Sequence, residues 1–324
     1  MTFTRRRAEP DDAICDLRMA AVIVTYNPAP EAFAGVLAAL RPQVERVVIV
    51  DNGSASAIAD ALQEVALRRD CTFVRLARNV GIAAAQNRGV ETIARESKST
   101  SVCNYILFLD HDSIAASDMV QRLLDSDLRL RARGHAVGAL GPVIVDKRTG
   151  TSGRFICSRR GGWLYRETCQ AGRDEMPVDF LISSGTLVRA DVLADIGGMN
   201  DDLFIDHVDT EWCLRALNRG YQLFAVPGAR LTHSLGDEVV KVWMGRPREV
   251  FVHSPLRDYY MCRNTILLLR EVPMSWAWRA FLFLRLLGSM AFFGLCVPPR
   301  GTRLLRMRQG VRDGWAGRRG EATL

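Results

Sequence analysis

Three short apolar runs, each stopping abruptly at polar residues, constrain the fold of this chain more than any other feature. Residues 19–25, 46–50 and 105–109 read as strands, and residues 30–40 between the first two read as a helix, which makes a β-α-β unit. A second helix-like stretch, residues 81–95, precedes the third run. The strands end in Tyr26-Asn27, Asp51-Asn52-Gly53-Ser54 and Asp110-His111-Asp112. In an open parallel sheet the ligand crevice lies beyond the carboxyl ends of the strands, so these three clusters should meet at one site.

At 324 residues the chain has room for two folding units at most. With 48% hydrophobic and 24% charged residues it can bury a sizeable core, which excludes wholesale disorder. Its formal charge of +7 is concentrated at the end, where Arg300, Arg303, Arg306, Arg308, Arg312, Arg318 and Arg319 face only Asp313 and Glu321. The eight cysteines are scattered without a Cys-x-x-Cys pair, which favours a reduced cytosolic setting over a disulfide or zinc framework. Residues 1–17 read as a flexible leader; the stretch after Arg5-Arg6-Arg7 is charged, so a cleaved secretory signal is not indicated.

After Gly134 the pattern changes to short apolar stretches among Gly, Ser and Arg, expected to form irregular strands and loops that shape an acceptor side. Residues 179–188 again suggest a strand and residues 209–218 a helix. The boundaries that follow are a main domain over 18–265, with halves at about 18–133 and 134–265, and a helical, arginine-rich extension over 266–324.

Asp110 and Asp112 are two carboxylates one residue apart, a spacing that can offer oxygen ligands to a hard divalent cation bridging a diphosphate. The same Asp-x-Asp-Ser run also suits a helix cap, and only its place at a strand end beside two others favours metal. Asp51 opens a turn-forming segment, and its carboxylate can also accept the imide N–H of a pyrimidine base. Asn79-Val80-Gly81 leads into a small-residue helix start running to Asn87, which allows close approach of a ligand to backbone. The segment Asp206-His207-Val208-Asp209-Thr210-Glu211 packs three carboxylates and a histidine into six residues. Acids there suit a helix N-terminus, and a partly desolvated one can also serve as base for a sugar hydroxyl. His233 is either a structural hydrogen bonder or a third metal ligand.

Taken in order, Val24-Thr25-Tyr26-Asn27-Pro28, Asp51-Asn52-Gly53-Ser54, Asn79-x-Gly81 through Asn87, Asp110-His111-Asp112-Ser113 and the run from Asp206 to Trp212 resemble the motif set of family 2 glycosyltransferases, and within it that of bacterial rhamnosyltransferases. The resemblance spans roughly residues 19–265. It implies an α/β fold of GT-A type with a mostly parallel, Rossmann-like nucleotide-binding sheet, and an inverting single displacement using Mg²⁺ or Mn²⁺. The implied donor is dTDP-L-rhamnose, with UDP-galactofuranose as an alternative. Matched position by position, it makes Thr25, Tyr26, Asn27, Asp51, Asn79, Gly81, Asn87 and Asp110 nucleotide- or donor-binding residues. It makes Asp112 and His233 metal ligands and Asp209 the catalytic base. Val208 stands where the family often has an acid, which leaves Asp206 and Glu211 open as the base, and those two with His207 are acceptor-side or base-supporting groups.

The implied acceptor is a glycan or lipid-linked glycan of an O-antigen-like polysaccharide. That places the protein at the cytoplasmic face of the inner membrane, peripherally bound. The apolar, aromatic stretch 276–297 followed by the arginine-rich tail fits an interfacial helix, and Arg279 and Arg285 inside it argue against a plain span. Packing of that helix on the domain core is the competing reading. No nucleic-acid-binding motif accompanies the tail, and a non-catalytic nucleotide- or polyanion-binding module is the reading of a different class.

Overall fold

The structure is a computed structural model that describes residues 18–97, 103–158, 163–169, 172–233, 238–243 and 247–322, so the expected leader at 1–17 lies outside the described residues. In chain order the first half runs β1 (Met19–Thr25), α1 (Pro30–Leu40), β2 (Arg46–Asp51), α2 (Ser56–Leu67), β3 (Thr72–Arg75), α3 (Ile82–Ser97), β4 (Tyr105–Asp110), β5 (Ile114–Ala115) and α4 (Met119–Ala132). The second half runs β6 (Val137–Asp146), β7 (Phe155–Ser158), β8 (Leu164–Glu167), β9 (Met176–Val178), β10 (Leu187–Arg189), α5 (Ala190–Ile196), α6 (Val208–Asn218), β11 (Gln222–His233), β12 (Glu238–Trp243) and β13 (Pro247–Val252). It ends in α7 (Pro255–Glu271), α8 (Trp276–Cys296) and α9 (Arg300–Trp315).

The main sheet has the order β3-β2-β1-β4-β10-β6-β11-β5, with β9 beside β11. Strands β3, β2, β1 and β4 are parallel, β10 is antiparallel to both β4 and β6, and β6 is parallel to β11. A reversed strand between two others leaves β4, β6 and β11 pointing the same way, so all three finish at one end of the sheet. Alternate residues of each central strand feed opposite cores. Val22, Val48 and Phe108 join one cluster with residues of α3, α5 and α6, while Ile23, Ile49 and Leu107 join another with residues of α1, α2 and α4. Burial on both faces explains why these strands read as unbroken apolar runs rather than alternating ones.

Two sequence expectations change here. Residues 179–188 do not form one strand: only Leu187–Arg189 pairs, because the Ser183-Ser184-Gly185 segment turns back, with Gly185 at φ +82° and the Thr186 amide donating to the Ser183 carbonyl at 2.9 Å. A side chain at Gly185 would also strike Pro142 and Leu231, so the turn needs glycine for space as well as for φ. The region after Gly134 is more regular than its composition suggests. Strand β6 runs ten residues through the middle of the sheet, and its glycines and proline had masked the β pattern.

Candidate active site

Register brings the strand-end clusters together. Thr25 pairs with Asp51 across β1 and β2, and Val24 pairs with Asp110 across β1 and β4, so the three polar ends lie side by side. Asp51 is fully buried, and its carboxylate accepts from the Thr25 hydroxyl at 3.1 Å, the Ser54 amide at 3.1 Å and the Ser54 hydroxyl. These bonds occupy three of its four lone-pair positions and leave one. Asn27, in a left-handed conformation, ties the two turns: its amide donates to the Ser54 hydroxyl at 2.8 Å and its side chain accepts from the Ala55 amide at 2.9 Å. Tyr26 stands at the rim with 48% of its surface exposed.

The 79–87 segment builds the floor. Asn79 accepts from the Asn52 side chain and from the Gly81 amide. Gly81 has φ +89°, and a Cβ there would meet the Phe204 carbonyl at 2.5 Å, so the close approach it permits is to the chain entering α6. Asn87 bonds the Met199 amide and carbonyl, each at 2.8 Å, and the Asp201 carboxylate. The side-chain amide of Asn87 thus joins the first half of the chain to the second.

At the end of β4 the chain passes through Asp110, His111 and Asp112 into the short strand β5, which pairs antiparallel with the last residues of β11. That pairing brings His233, the last residue of β11, to Asp112: its Nδ1 lies 3.2 Å from the Asp112 carboxylate and 2.8 Å from the Ser113 hydroxyl. One ligand atom from each of Asp110, Asp112 and His233 lies within 4.8 Å of the others. Two carboxylates and an imidazole suit a hard to borderline divalent cation. Their charges interact as a group. Burial raises the Asp110 carboxyl above its ordinary range, outweighing the pull of His233 and reinforced by Asp112. Burial also works against charge on Asp112 and His233, but their mutual hydrogen bond and attraction hold Asp112 below its usual range and His233 above it.

The approach to α6 is strained. Phe204, Asp206 and His207 all have positive φ near 64°, a region that non-glycine residues rarely occupy in succession. Two buried side chains of α7 hold it there. Asn264 donates to the Leu203, Ile205 and Asp206 carbonyls at 2.8, 2.7 and 2.9 Å, and Arg263 donates to the Leu203 carbonyl at 3.0 Å. Neither was legible in the sequence, since both are ordinary polar residues of a helix some sixty positions away.

Within the acidic run the three carboxylates have different surroundings. Asp206 is forked by Arg257, at 2.6 and 3.2 Å. Glu211 is forked by Arg215 one turn on, at 2.7 and 3.0 Å. Asp209 has no cationic partner among the described residues and faces Ser183 and Asp110. Burial, with the like charge of Asp110, outweighs the Ser183 hydrogen bonds and pushes its carboxyl up to about 7. His207 bonds the Thr265 hydroxyl at 2.9 Å, and burial together with the positive charge of Arg285 lowers it to about 4, so its ring is neutral at ordinary pH.

Sequence reading also missed Ser183 and Ser184, which the turn before β10 delivers to the centre. Ser184 accepts from the Asp110 amide at 3.1 Å and bonds Ser113 at 2.8 Å, while Ser183 meets Asp209 and accepts from Gln86 at 3.1 Å. Gln86 keeps one buried oxygen without a partner among the described residues. The Ser-Ser-Gly-Thr spelling was the available signal, because such residues form turns rather than strand interiors.

Helix α8 packs one face on the protein, as the competing reading of residues 276–297 expected, and leaves other apolar residues exposed. Trp278, Leu282 and Leu286 of α8 are buried, whereas Trp276, Phe283, Leu284 and Leu287 are exposed. At 21 residues α8 is long and apolar enough to cross a membrane by length and composition. Four of the seven arginines at the chain's end are tied into ion pairs: Arg303 with Asp258, Arg312 and Arg318 with Asp313, and Arg319 with Asp202 and Glu271. The seven described cysteines are all free thiols.

Residues 20–197 match the sequence model of the family described as glycosyl transferase family 2. A dTDP-rhamnosyl transferase, RfbF, of Shigella flexneri is 32% identical over 268 residues, covering 81% of this chain and 84% of that protein. An N-acetylglucosaminyl-diphospho-decaprenol L-rhamnosyltransferase of Mycobacterium tuberculosis is 26% identical, covering 83% and 89%. Among solved structures, residues 1–349 of Staphylococcus aureus TarS in complex with UDP-GlcNAc superpose with a TM-score of 0.52 at 13% identity, covering 93% of each chain. That likeness establishes the α/β fold of GT-A type.

Proposed function

Since the chain belongs to glycosyl transferase family 2, we propose that it is an inverting transferase moving L-rhamnose from dTDP-L-rhamnose to a glycan or lipid-linked glycan during assembly of a bacterial cell-surface polysaccharide. The observation that carries this reading is the meeting, at one end of the sheet, of the Asp110-Asp112-His233 group with Asp209, a carboxyl poised at about 7. The relative named as a dTDP-rhamnosyl transferase supports the choice of sugar and nucleotide.

On this reading Thr25, Tyr26, Asn27 and Asp51 receive the base and ribose, the remaining lone pair of Asp51 accepting the imide N–H. Asp110 borders the donor diphosphate. A Mg²⁺ or Mn²⁺ held by Asp112 and His233 beside Asp110 would offset the charge that builds on the leaving diphosphate. Asp209 takes the proton from the acceptor hydroxyl as its oxygen attacks the anomeric carbon. The bond from that carbon to the diphosphate oxygen breaks on the opposite face, and the nucleoside diphosphate leaves with configuration inverted. A base near neutrality is half-ionised at working pH and still strong enough to take the proton. Asp206 and Glu211 are each engaged by an arginine and support the loop instead.

Residues 18–265 form the transferase domain in this account, and 266–324 a helical extension whose exposed α8 face lies on the cytoplasmic surface of the membrane. Donor hydrolysis with Mg²⁺ tests the proposal: wild-type protein should release dTDP, and Asp112→Ala and Asp209→Asn should not. Full activity in both variants would sink it. A thermal-shift panel of dTDP- and UDP-sugars identifies the donor, and preferential stabilisation by UDP-galactofuranose would replace rhamnose.

A further inference from the structure

Arg166 on β8 and Arg285 on α8 both reach solvent, and neither forms an ion pair or hydrogen bond among the described residues. They come from different elements yet meet at one place. The Arg166 guanidinium lies 6.0 Å from the ring centroid of Phe281, and Phe281 sits one helical turn before Arg285 on the same side of α8. The two charges are close enough to repel each other, and Arg285 is also within electrostatic reach of His207 and Asp206, just ahead of Asp209.

Two guanidinium groups within electrostatic reach of each other, neither in an ion pair among the described residues, are unfavourable until an anion arrives. Their planar forks suit a diphosphate, which can take a paired hydrogen bond from each. The donor's own diphosphate belongs at Asp110, Asp112 and His233, whereas Arg285 addresses the other flank, beside Asp206 and His207. The same helix exposes Leu284 and Leu287 next to Arg285, and at its start Trp276 packs edge-on against the equally exposed Trp163 at 4.6 Å. A cationic pair bordered by apolar and tryptophan surface matches a ligand with an anionic head and a hydrocarbon tail.

We infer that Arg166 and Arg285 form a subsite for the diphosphate of a lipid-diphosphate-linked acceptor, with the lipid lying along the exposed face of α8 and the sugar end reaching Asp209. The inference rests on the transferase reading above and adds the acceptor's anionic group and the residues that grip it.

The test is vesicle binding by the full chain, using phosphatidylcholine vesicles doped with a polyprenyl diphosphate against vesicles brought to the same surface charge with phosphatidylglycerol. Wild-type protein should bind the diphosphate vesicles more tightly. Arg166→Gln and Arg285→Gln should each lower that preference about tenfold, with binding to phosphatidylglycerol unchanged, and Arg285→Lys should retain part of it. Thermal shift by dTDP with Mn²⁺, measured on the same samples, should match wild type and shows that each variant is folded. No diphosphate preference in wild type, or Gln variants that keep it, would overturn the subsite. So would equal loss on both vesicle types, which would mean general attraction to an anionic surface. A wild type that prefers the diphosphate vesicles but gives no dTDP shift would instead defeat the donor reading and leave the subsite standing.

Discussion

Replacing Asp209 by Asn should make the protein more stable while abolishing turnover, and the gain should grow with pH. In the folded chain burial and the Asp110 charge move this carboxyl from 3.8 to about 7, whereas in the unfolded chain it returns to its ordinary value. Below about pH 4 both states hold the proton and the group contributes no penalty. Between there and about 7 the unfolded chain releases a proton that the folded one keeps, so stability is lost as pH rises, and above 7 the loss is complete. At about 1.36 kcal/mol for each pH unit, the full penalty is ~4 kcal/mol, with about 2–3 kcal/mol of it falling between pH 5 and pH 8. Asn does not titrate and can still accept from the Ser183 hydroxyl. The assay is urea unfolding of both proteins in EDTA at pH 5 and pH 8. The stability difference in favour of Asp209→Asn should widen by about 2–3 kcal/mol across that interval. A difference that stays constant, or a variant less stable at pH 8, would show that Asp209 is not a desolvated acid and would remove the physical basis for its role as base.

Turnover should rise through an apparent pKa of about 7 as Asp209 ionises, read from kcat/KM against pH, and a flat profile from pH 6 to 8 would contradict the assignment. His233→Ala should weaken Mn²⁺ binding about tenfold or more in calorimetry while leaving the thermal transition nearly unchanged, because His233 is a partly exposed strand-end residue. Asn264→Ala removes the donor shared by three carbonyls of the strained loop, so it should cost about 2–4 kcal/mol in urea unfolding and raise amide exchange at residues 203–209 before the rest of the chain. Leu284→Ser on the exposed face of α8 should reduce binding to lipid vesicles without lowering stability, since its side chain is 66% exposed.

The parts legible in the sequence were those whose physics is local. Strands β1, β2 and β4 are buried on both faces, so they appear as apolar runs, and their polar ends mark where the sheet stops. The start of α6 was legible because Asp209 and Glu211 put acids in its first turn. What stayed hidden depends on distant pairing. His233 was named as a candidate ligand, but its contact with Asp112 was not legible, because it depends on β5 docking against β11, which itself carries a register break between Val226 and Arg230. Ser183 and Ser184 were concealed inside what read as a strand, until Gly185 turned the chain. Arg263 and Asn264 act through the backbone of a loop far away in sequence, and nothing in their own neighbourhood announces it. The choice among Asp206, Asp209 and Glu211 was open for the same reason, since Arg257 comes from another element.

A crystal structure of the protein with dTDP and Mn²⁺ tests the central claim most directly. The thymine should lie against Thr25 and Asp51, the ion should be bound by Asp112 and His233 beside Asp110, and the Asp209 carboxylate should face the diphosphate end of the nucleotide. A nucleotide bound away from the ends of β1, β2 and β4, or an ion that leaves Asp112 and His233 untouched, would contradict it.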